Sequence, residues 1–306
     1  MPRFSIILAC YQAAATLEDT LASLRAQEFS DWEALCVDDG SSDATYALLR
    51  TAAAADPRIR VVETSGQGLA AARNHGAAMA RGEILAFCEP GDLWTADKLT
   101  RLDAAFSNAQ CDAAFGRVSF FRREAGDTRA VTSVPSRTLT IPTLLAETPV
   151  WTMSNIALRS EVFDRSGGLR TAAAHDGVLE WLVRLVGGGA RVQPIDRVLV
   201  HHRVSRRCAP AYLAALRAGR VAAFESAARF GVHHAPAAEA AHLRCLARRA
   251  IGVGLGGTTA LSLALRGLGL APRGFFSPMH RGCSTLVGAL IAPAMPGPVR
   301  RAFFSR

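Results

Sequence analysis

Across its first hundred residues the chain alternates strand-length apolar runs with helix-like stretches, and this alternation limits the fold more than any other feature. Phe4–Ala9 is an apolar run of strand length. Leu17, Leu21 and Leu24 then recur at helical spacing, with Glu18 and Asp19 in the first turn. Trp32–Val37 reads as a second strand and ends in Asp38-Asp39-Gly40. Ser42 and Asp43 offer cap oxygens to a helix that Asp56-Pro57 stops. Ile59–Glu63 is a third strand, Leu69–Arg81 an alanine-rich helix closed by Gly82, and Glu83–Cys88 a fourth strand running into Glu89-Pro90-Gly91-Asp92. The pattern predicts an α/β fold, with a mostly parallel sheet and helices on both faces. Ligands of such sheets bind beyond the carboxyl ends of the strands. Tyr11, Asp38, Asp39, Glu89 and Asp92 all fall there.

Past residue 97 the pattern loosens. Lys98–Ala109 reads as a helix, Ala113–Phe121 as a strand, 122–140 as a loop or hairpin and 143–148 as a short helix. Thr152–Leu158 and Val192–His202 read as strands on either side of a helix at Leu179–Val186. After Arg206 the chain is rich in alanine and arginine and helical in character. Its 306 residues allow a core of about 200 residues with an appendage. Seven cysteines, with no C-x-x-C pair, exclude a disulfide scaffold, argue against structural zinc and fit a reducing compartment. Phe4–Cys10 is too short for a secretory leader, and no run reaches the length of a membrane span.

Charge is distributed unevenly. Residues 1–200 carry a net charge of −4, whereas residues 201–306 hold 15 arginines against Glu225 and Glu239, a net of +13. A basic tail of this kind implies an anionic surface as partner. Apolar residues lie between the arginines, and 250–265 and Leu286–Val299 are apolar runs, so the tail is expected to rest on an anionic membrane surface. An ordinary helical cap on the sheet is the alternative. Nucleic acid is not expected, because stacking aromatics are sparse in this region.

Four segments carry a family resemblance. Ser5–Gln12 reads S-I-I-L-A-C-Y-Q, and Asp31–Asp43 reads D-W-E-A-L-C-V-D-D-G-S-S-D. Gly68–Phe87 reads G-L-A-A-A-R-N-H-G-A-A-M-A-R-G-E-I-L-A-F, and Gly91–Trp94 is followed by Lys98-Leu99. In this order and spacing they resemble the family 2 glycosyltransferases, over residues 3–205. The resemblance implies the GT-A fold, a Rossmann-like, mostly parallel sheet flanked by helices. It implies a nucleotide-binding half at 1–112 and an acceptor-binding half at 113–205, with 206–306 as a helical C-terminal extension. The implied activity moves a sugar from a nucleotide-diphosphate donor, expected to be a UDP-sugar, to an acceptor hydroxyl with inversion. A glycan or lipid-linked acceptor is expected, at the inner face of the membrane and in the cytoplasm. By position, Ala9 and Tyr11 would lie against the nucleotide. Asp39 would accept a hydrogen bond from a uracil-like imide, Asp38 would support its loop, and Arg73 would meet the nucleotide end of the donor. A carboxylate suits an imide N–H, and a guanidinium suits carbonyl or phosphate oxygens. The plainer alternatives are a capped strand-to-helix turn for the two aspartates, a core-edge aromatic for Tyr11 and a surface arginine for Arg73.

Two departures from the family pattern bear on the chemistry. The family's D-x-D metal motif is here Glu89-Pro90-Gly91-Asp92, with glycine where a ligand usually stands. A divalent cation, Mg²⁺ or Mn²⁺, prefers hard oxygen ligands. Glu89 and Asp92 would hold it if the loop shifts, which Gly91 permits. Otherwise arginines meet the diphosphate, or the stretch is a simple turn. The catalytic base must take a proton from the acceptor. Alignment on Gly167-Gly168-Leu169 and Arg184-Leu185 puts Val178 at that position, and valine accepts no proton. The nearest acids are Asp176, which is favoured, and Glu180. Each lies two residues from Val178, and a two-residue helical step turns about 200°, so neither shares the face of that position. Trp151, Thr152 and Ser154 lie where the family builds a sugar pocket, and His201-His202-Arg203 resembles a segment that faces donor phosphates. A competing reading is a non-catalytic relative that binds nucleotide or a partner transferase.

Overall fold

The computed structural model describes residues 1–127, 131–147, 149–171, 177–204, 209–233, 235–253, 257–292 and 294. Strand β1 (Phe4–Cys10) is followed by α1 (Leu17–Arg25), β2 (Trp32–Asp38), α2 (Thr45–Ala55), β3 (Ile59–Glu63), α3 (Leu69–Ala78) and β4 (Ile84–Cys88). Then come β5 (Leu93–Trp94), α4 (Lys98–Phe106), β6 (Ala113–Phe121), α5 (Ile141–Glu147), a 3-10 turn at Met153–Asn155, β7 (Ile156–Arg159) and α6 (Ser160–Arg165). The chain continues through α7 (Val178–Gly187), β8 (Val192–Arg203), α8 (Ala209–Ala228), α9 (Pro236–Val253), α10 (Gly257–Leu270), α11 (Pro272–Phe275) and α12 (Met279–Ile291).

One eight-stranded sheet has the order β3-β2-β1-β4-β7-β6-β8-β5. The first four strands in that order are mutually parallel, with Cys10 opposite Asp38 and Leu8 opposite Cys88. β7 runs antiparallel to β4 and β6, β8 is parallel to β6, and the short β5 is antiparallel to β8. The sheet is therefore mostly parallel, as its alternating sequence predicts.

Both faces are buried, and the period of two along each strand divides the side chains between them. Phe4, Ile6, Leu8 and Cys10 of β1 pack with Leu17, Leu21, Leu49 and Phe106 from α1, α2 and α4. On the other face Ile7, Leu35, Leu85 and Phe87 pack with Ala77, Phe163, Trp181 and Leu182 from α3, α6 and α7. A further core joins α9 to α12 through Leu243, Leu246, Ala250, Leu263, Phe275 and Ala289.

Local structure departs from the sequence expectations in three places. Asp43 does not cap α2; its carboxylate instead accepts from Thr45 and from the Ala14 amide, which ties the loop after β2 to the loop after β1. Thr152–Asn155 is not strand. The Thr152 hydroxyl accepts from the Ser154 amide and caps the 3-10 turn, so β7 starts only at Ile156. β5 and α6 are too short to leave a periodic signal.

Candidate active site

The carboxyl ends of β2, β1 and β4 lie side by side, because these strands are parallel neighbours. Asp38-Asp39, Tyr11 and Glu89 are therefore brought to one edge of the sheet. The Asp39 amide donates to the Cys10 carbonyl at 2.9 Å, joining the two loops. Tyr11 is 55% exposed above this edge. Ala9 is buried beneath it and packs on Val37 and Ala72.

Asp39 is buried and firmly held. Its Oδ1 accepts from Thr64 Oγ1 at 2.7 Å and from the Gln67 amide at 3.0 Å, and its Oδ2 accepts from the Gly68 amide at 2.7 Å. A carboxylate has about four lone-pair sites, so this set leaves room for about one more donor. Asp38 Oδ2 accepts from the Ser41 amide at 3.1 Å, while Asp38 Oδ1 is buried with no hydrogen-bond partner.

Gly68 opens α3, and Arg73, one turn further on, reaches across to Glu89 with Nη2···Oε1 at 2.7 Å. Arg73 is buried, and the Glu89 side chain is 24% exposed. Asn74, beside Arg73, bonds both the carbonyl and the amide of Leu169, which fixes the loop before α7 against α3.

The second oxygen of Glu89 meets the Thr152 hydroxyl, and the same hydroxyl lies 2.8 Å from Asp92 Oδ2. One hydroxyl carries one proton, so two carboxylates converge on a single donor. The other Asp92 oxygen is 2.8 Å from His202 Nδ1 and 3.3 Å from the Arg203 amide. Burial alone would raise the Asp92 carboxyl; the bonds to His202 and Thr152 outweigh it and hold Asp92 below the usual carboxylate range. Burial likewise works against a charged His202, but Asp92 and then Glu89 raise its pKa. Gly91 adopts φ +97°, its amide donates to Thr20 Oγ1 at 2.8 Å, and its carbonyl accepts from Arg203. A left-handed backbone of this kind favours glycine.

Behind the site, Lys98 is fully buried and donates to the Ser154 carbonyl, while Ser154 Oγ accepts from the Glu89 amide. The Lys98 ammonium also lies 3.8 Å from the Trp94 ring centre. Burial pushes it down to about 7, against the opposing pull of Cys88 and Asp92. Trp151 packs edge-on against Phe120, whose ring also meets His202.

Asp39, Arg73, Glu89 and Asp92 thus form one connected network with α3 and Thr152. Glu180 has other partners. It is 1% exposed and holds Arg184 Nε at 2.9 Å, Arg170 at 3.2 Å and Ser226 Oγ at 2.6 Å, against α8. Asp176 lies outside the described residues. Two connecting residues carry little sequence signal. Lys98 enters the sequence reading only through the matching Lys98-Leu99 pair, and Thr152 only as the start of an expected strand near a sugar pocket; neither reading points to their bonds with Ser154, Glu89 and Asp92. Among the described residues no group of three or more His, Cys, Asp or Glu side chains is arranged to hold a metal ion.

The architecture is that of the GT-A glycosyltransferases. The solved TarS structure from S. aureus, residues 1–349, superposes with a TM-score of 0.60 at 15% identity, covering 98% of this chain and 90% of that one. The mannosyltransferase PcManGT from Pyrobaculum calidifontis, solved with GDP-Man and Mn²⁺, superposes at 0.61 and 21% identity, covering 98% and 87%. The chain belongs to glycosyl transferase family 2, whose model matches residues 5–167. TuaG of Bacillus subtilis (strain 168), named for teichuronic acid biosynthesis, is 33% identical over 124 residues, 40% of this chain and 49% of its own. WfgD of Escherichia coli, named a UDP-Glc:alpha-D-GlcNAc-diphosphoundecaprenol beta-1,3-glucosyltransferase, is 36% identical over 97 residues, 31% of this chain and 37% of its own. The matches to these two relatives span half their length or less.

Proposed function

We propose that this protein transfers a sugar from a UDP-sugar to a hydroxyl of a lipid-linked or polysaccharide acceptor at the inner face of a membrane. The observation that carries this reading is the network running from Asp39 through α3 and Arg73 to Glu89, Thr152, Asp92 and His202. It links the loop after β2 to the loop after β4. WfgD is named for a UDP-linked donor and a lipid-linked acceptor. TarS has been solved with UDP and with UDP-GlcNAc.

In this reading Tyr11 lies against the uracil ring, and Asp39 uses its remaining lone pair for the imide N–H. Arg73, aligned by Glu89, faces the nucleotide end of the donor. Glu89 and Asp92 are the residues that would hold a Mg²⁺ or Mn²⁺ ion. Their oxygens meet at the one Thr152 hydroxyl, and such hard oxygens suit a cation using one or two carboxylates plus donor phosphates. When bound, the ion would neutralise charge on the leaving diphosphate. Asp176 takes the acceptor hydroxyl proton. The acceptor oxygen forms its bond to the anomeric carbon as the carbon–diphosphate bond breaks, inverting that centre and releasing UDP. Glu180 has a structural role, holding Arg184, Arg170 and α8 together.

Gly91 and the lack of a three-ligand group among the described residues favour one alternative, a nucleotide-binding relative without transferase activity. Calorimetric titration with UDP, with and without Mn²⁺, combined with UDP release from donor sugars, separates the two. Metal-enhanced binding with release supports the transferase. Metal-independent binding without release supports the binding protein, and no UDP binding ends both.

A further inference from the structure

Three arginines of the basic C-terminal region are engaged inside the molecule. Arg203 pairs with Asp19 at 2.6 Å and lies over Phe121. Arg220 is buried, pairs with Glu239 at 3.0 Å and donates to the Leu145 carbonyl. Arg244 is buried and donates to the carbonyls of Phe275 and Ser277. These arginines tie β8, α8 and α9 to neighbouring segments and present no positive face.

The outer surface of α10 and α12 is different. Both helices pack on α9 and on each other, and their inward residues build the shared core. Facing outward are Leu265 (52% exposed), Leu270 (46%), Met279 (65%), Val287 (56%) and Leu290 (57%). Met279, Val287 and Leu290 recur near helical spacing on the exposed side of α12. Isolated exposed apolar residues are ordinary, but several on two adjacent helices mark a contact surface. Next to them on α10 is a shallow hollow of about 290 Å³, lined by Thr258, Thr259, Ser262, Leu263 and Arg266. Three hydroxyls and a guanidinium suit a phosphate oxyanion. Residues 240–306 contain no aspartate or glutamate, so nothing acidic in this stretch repels an anionic surface. Among the described residues no helix is long and apolar enough to cross a membrane, so the geometry is that of a surface contact.

We infer that the outer face of α10 and α12 docks on an anionic phospholipid bilayer. Val287, Leu290 and Leu265 enter the acyl boundary, and Arg266 with its neighbouring hydroxyls takes a lipid phosphate. This deepens the membrane-face part of the proposed function and does not depend on the chemistry at Glu89.

The test is sedimentation of the full chain with vesicles of phosphatidylcholine alone or mixed with phosphatidylglycerol. The expected result is binding to the mixed vesicles only, weakened by salt. Val287→Asp with Leu290→Asp is expected to weaken it by about tenfold or more, and Arg266→Glu by a smaller factor. Calorimetric UDP binding is expected to be unchanged in both variants, which shows that they fold and separates failure of the surface from failure of the transferase reading. If the double variant does not fold, Arg266→Glu and Leu290→Gln carry the test. The inference is overturned if wild-type chain ignores the mixed vesicles or if the variants bind them as wild type does. A lipid-free dimer that Val287→Asp dissolves would also overturn it, since a second copy would then cover this face.

Discussion

At the scale of single residues, the site is governed by two carboxylates that share one hydroxyl. Glu89 and Asp92 both approach the Thr152 hydroxyl, and Arg73 and His202 balance the outer oxygens of each. Removing one charge should therefore disturb the whole set. Glu89→Gln is expected to lower UDP release from donor sugar by about 10²–10³-fold. It should cost about 1–3 kcal/mol in urea unfolding, because Arg73 stays buried after losing this carboxylate. Lys98 gives a prediction in pH. Its folded pKa is about 7, while an unfolded lysine titrates near ~10.4. Between these values the unfolded chain keeps a proton that the folded chain has released, so this group makes folding more favourable as pH rises. Compared with Lys98→Met, wild-type protein is expected to gain about 1–3 kcal/mol of stability between roughly pH 7 and 9.5. Denaturant midpoints for both proteins across that range check the sign.

At the scale of elements, α3 is the part that joins the two ends of the site. Its first amide holds Asp39, its middle carries Arg73 to Glu89, and Asn74 on the same turn pins the loop before α7. The chain must then turn tightly from α3 into β4 to stay on the sheet. Gly82 makes this turn with its amide on Ser5 Oγ at 2.8 Å. A Cβ there would lie 2.6 Å from the Ser5 amide nitrogen and 2.7 Å from the Phe4 carbonyl carbon. Both are main-chain atoms of a central strand and cannot move aside cheaply. Gly82→Ala is expected to destabilise the protein by about 1–3 kcal/mol or more, read as a lower denaturant midpoint at unchanged slope, with UDP affinity reduced through α3.

Considered as a whole, the molecule divides its arginines between internal bonding and the outer surface. The net charge of +13 beyond residue 200 does not measure what a partner meets. Arg244 shows this, at 4% exposure and with its guanidinium on the Phe275 and Ser277 carbonyls. Arg244→Met is expected to cost about 1–3 kcal/mol, because the buried Phe275 carbonyl loses its donor along with the half-buried bond to Ser277. Arg266→Met, on the exposed face of α10, should change stability by less than about 0.5 kcal/mol. Thermal melts of the two variants side by side test the division.

What the sequence determined by itself was periodic or positional. Strand and helix periods in the first hundred residues fixed a parallel sheet covered on both faces. Parallel strands end on the same edge, so Tyr11, Asp38, Asp39 and Glu89 had to arrive together. The short elements β5 and α6, and the 3-10 turn that replaces the expected strand at Thr152–Asn155, were beyond it, since one turn gives no period. The side-chain partners were decided by tertiary structure alone. Thr152 meets Glu89 and Asp92 from 63 and 60 residues away, and His202 meets Asp92 from 110. Asp39 closes on Gly68 across 29. Such bonds depend on where packed segments cross, which local propensity does not encode. The same packing put Glu180 under α8 and turned Arg220 and Arg244 inward, while the pattern of charge along the chain left either side open to them.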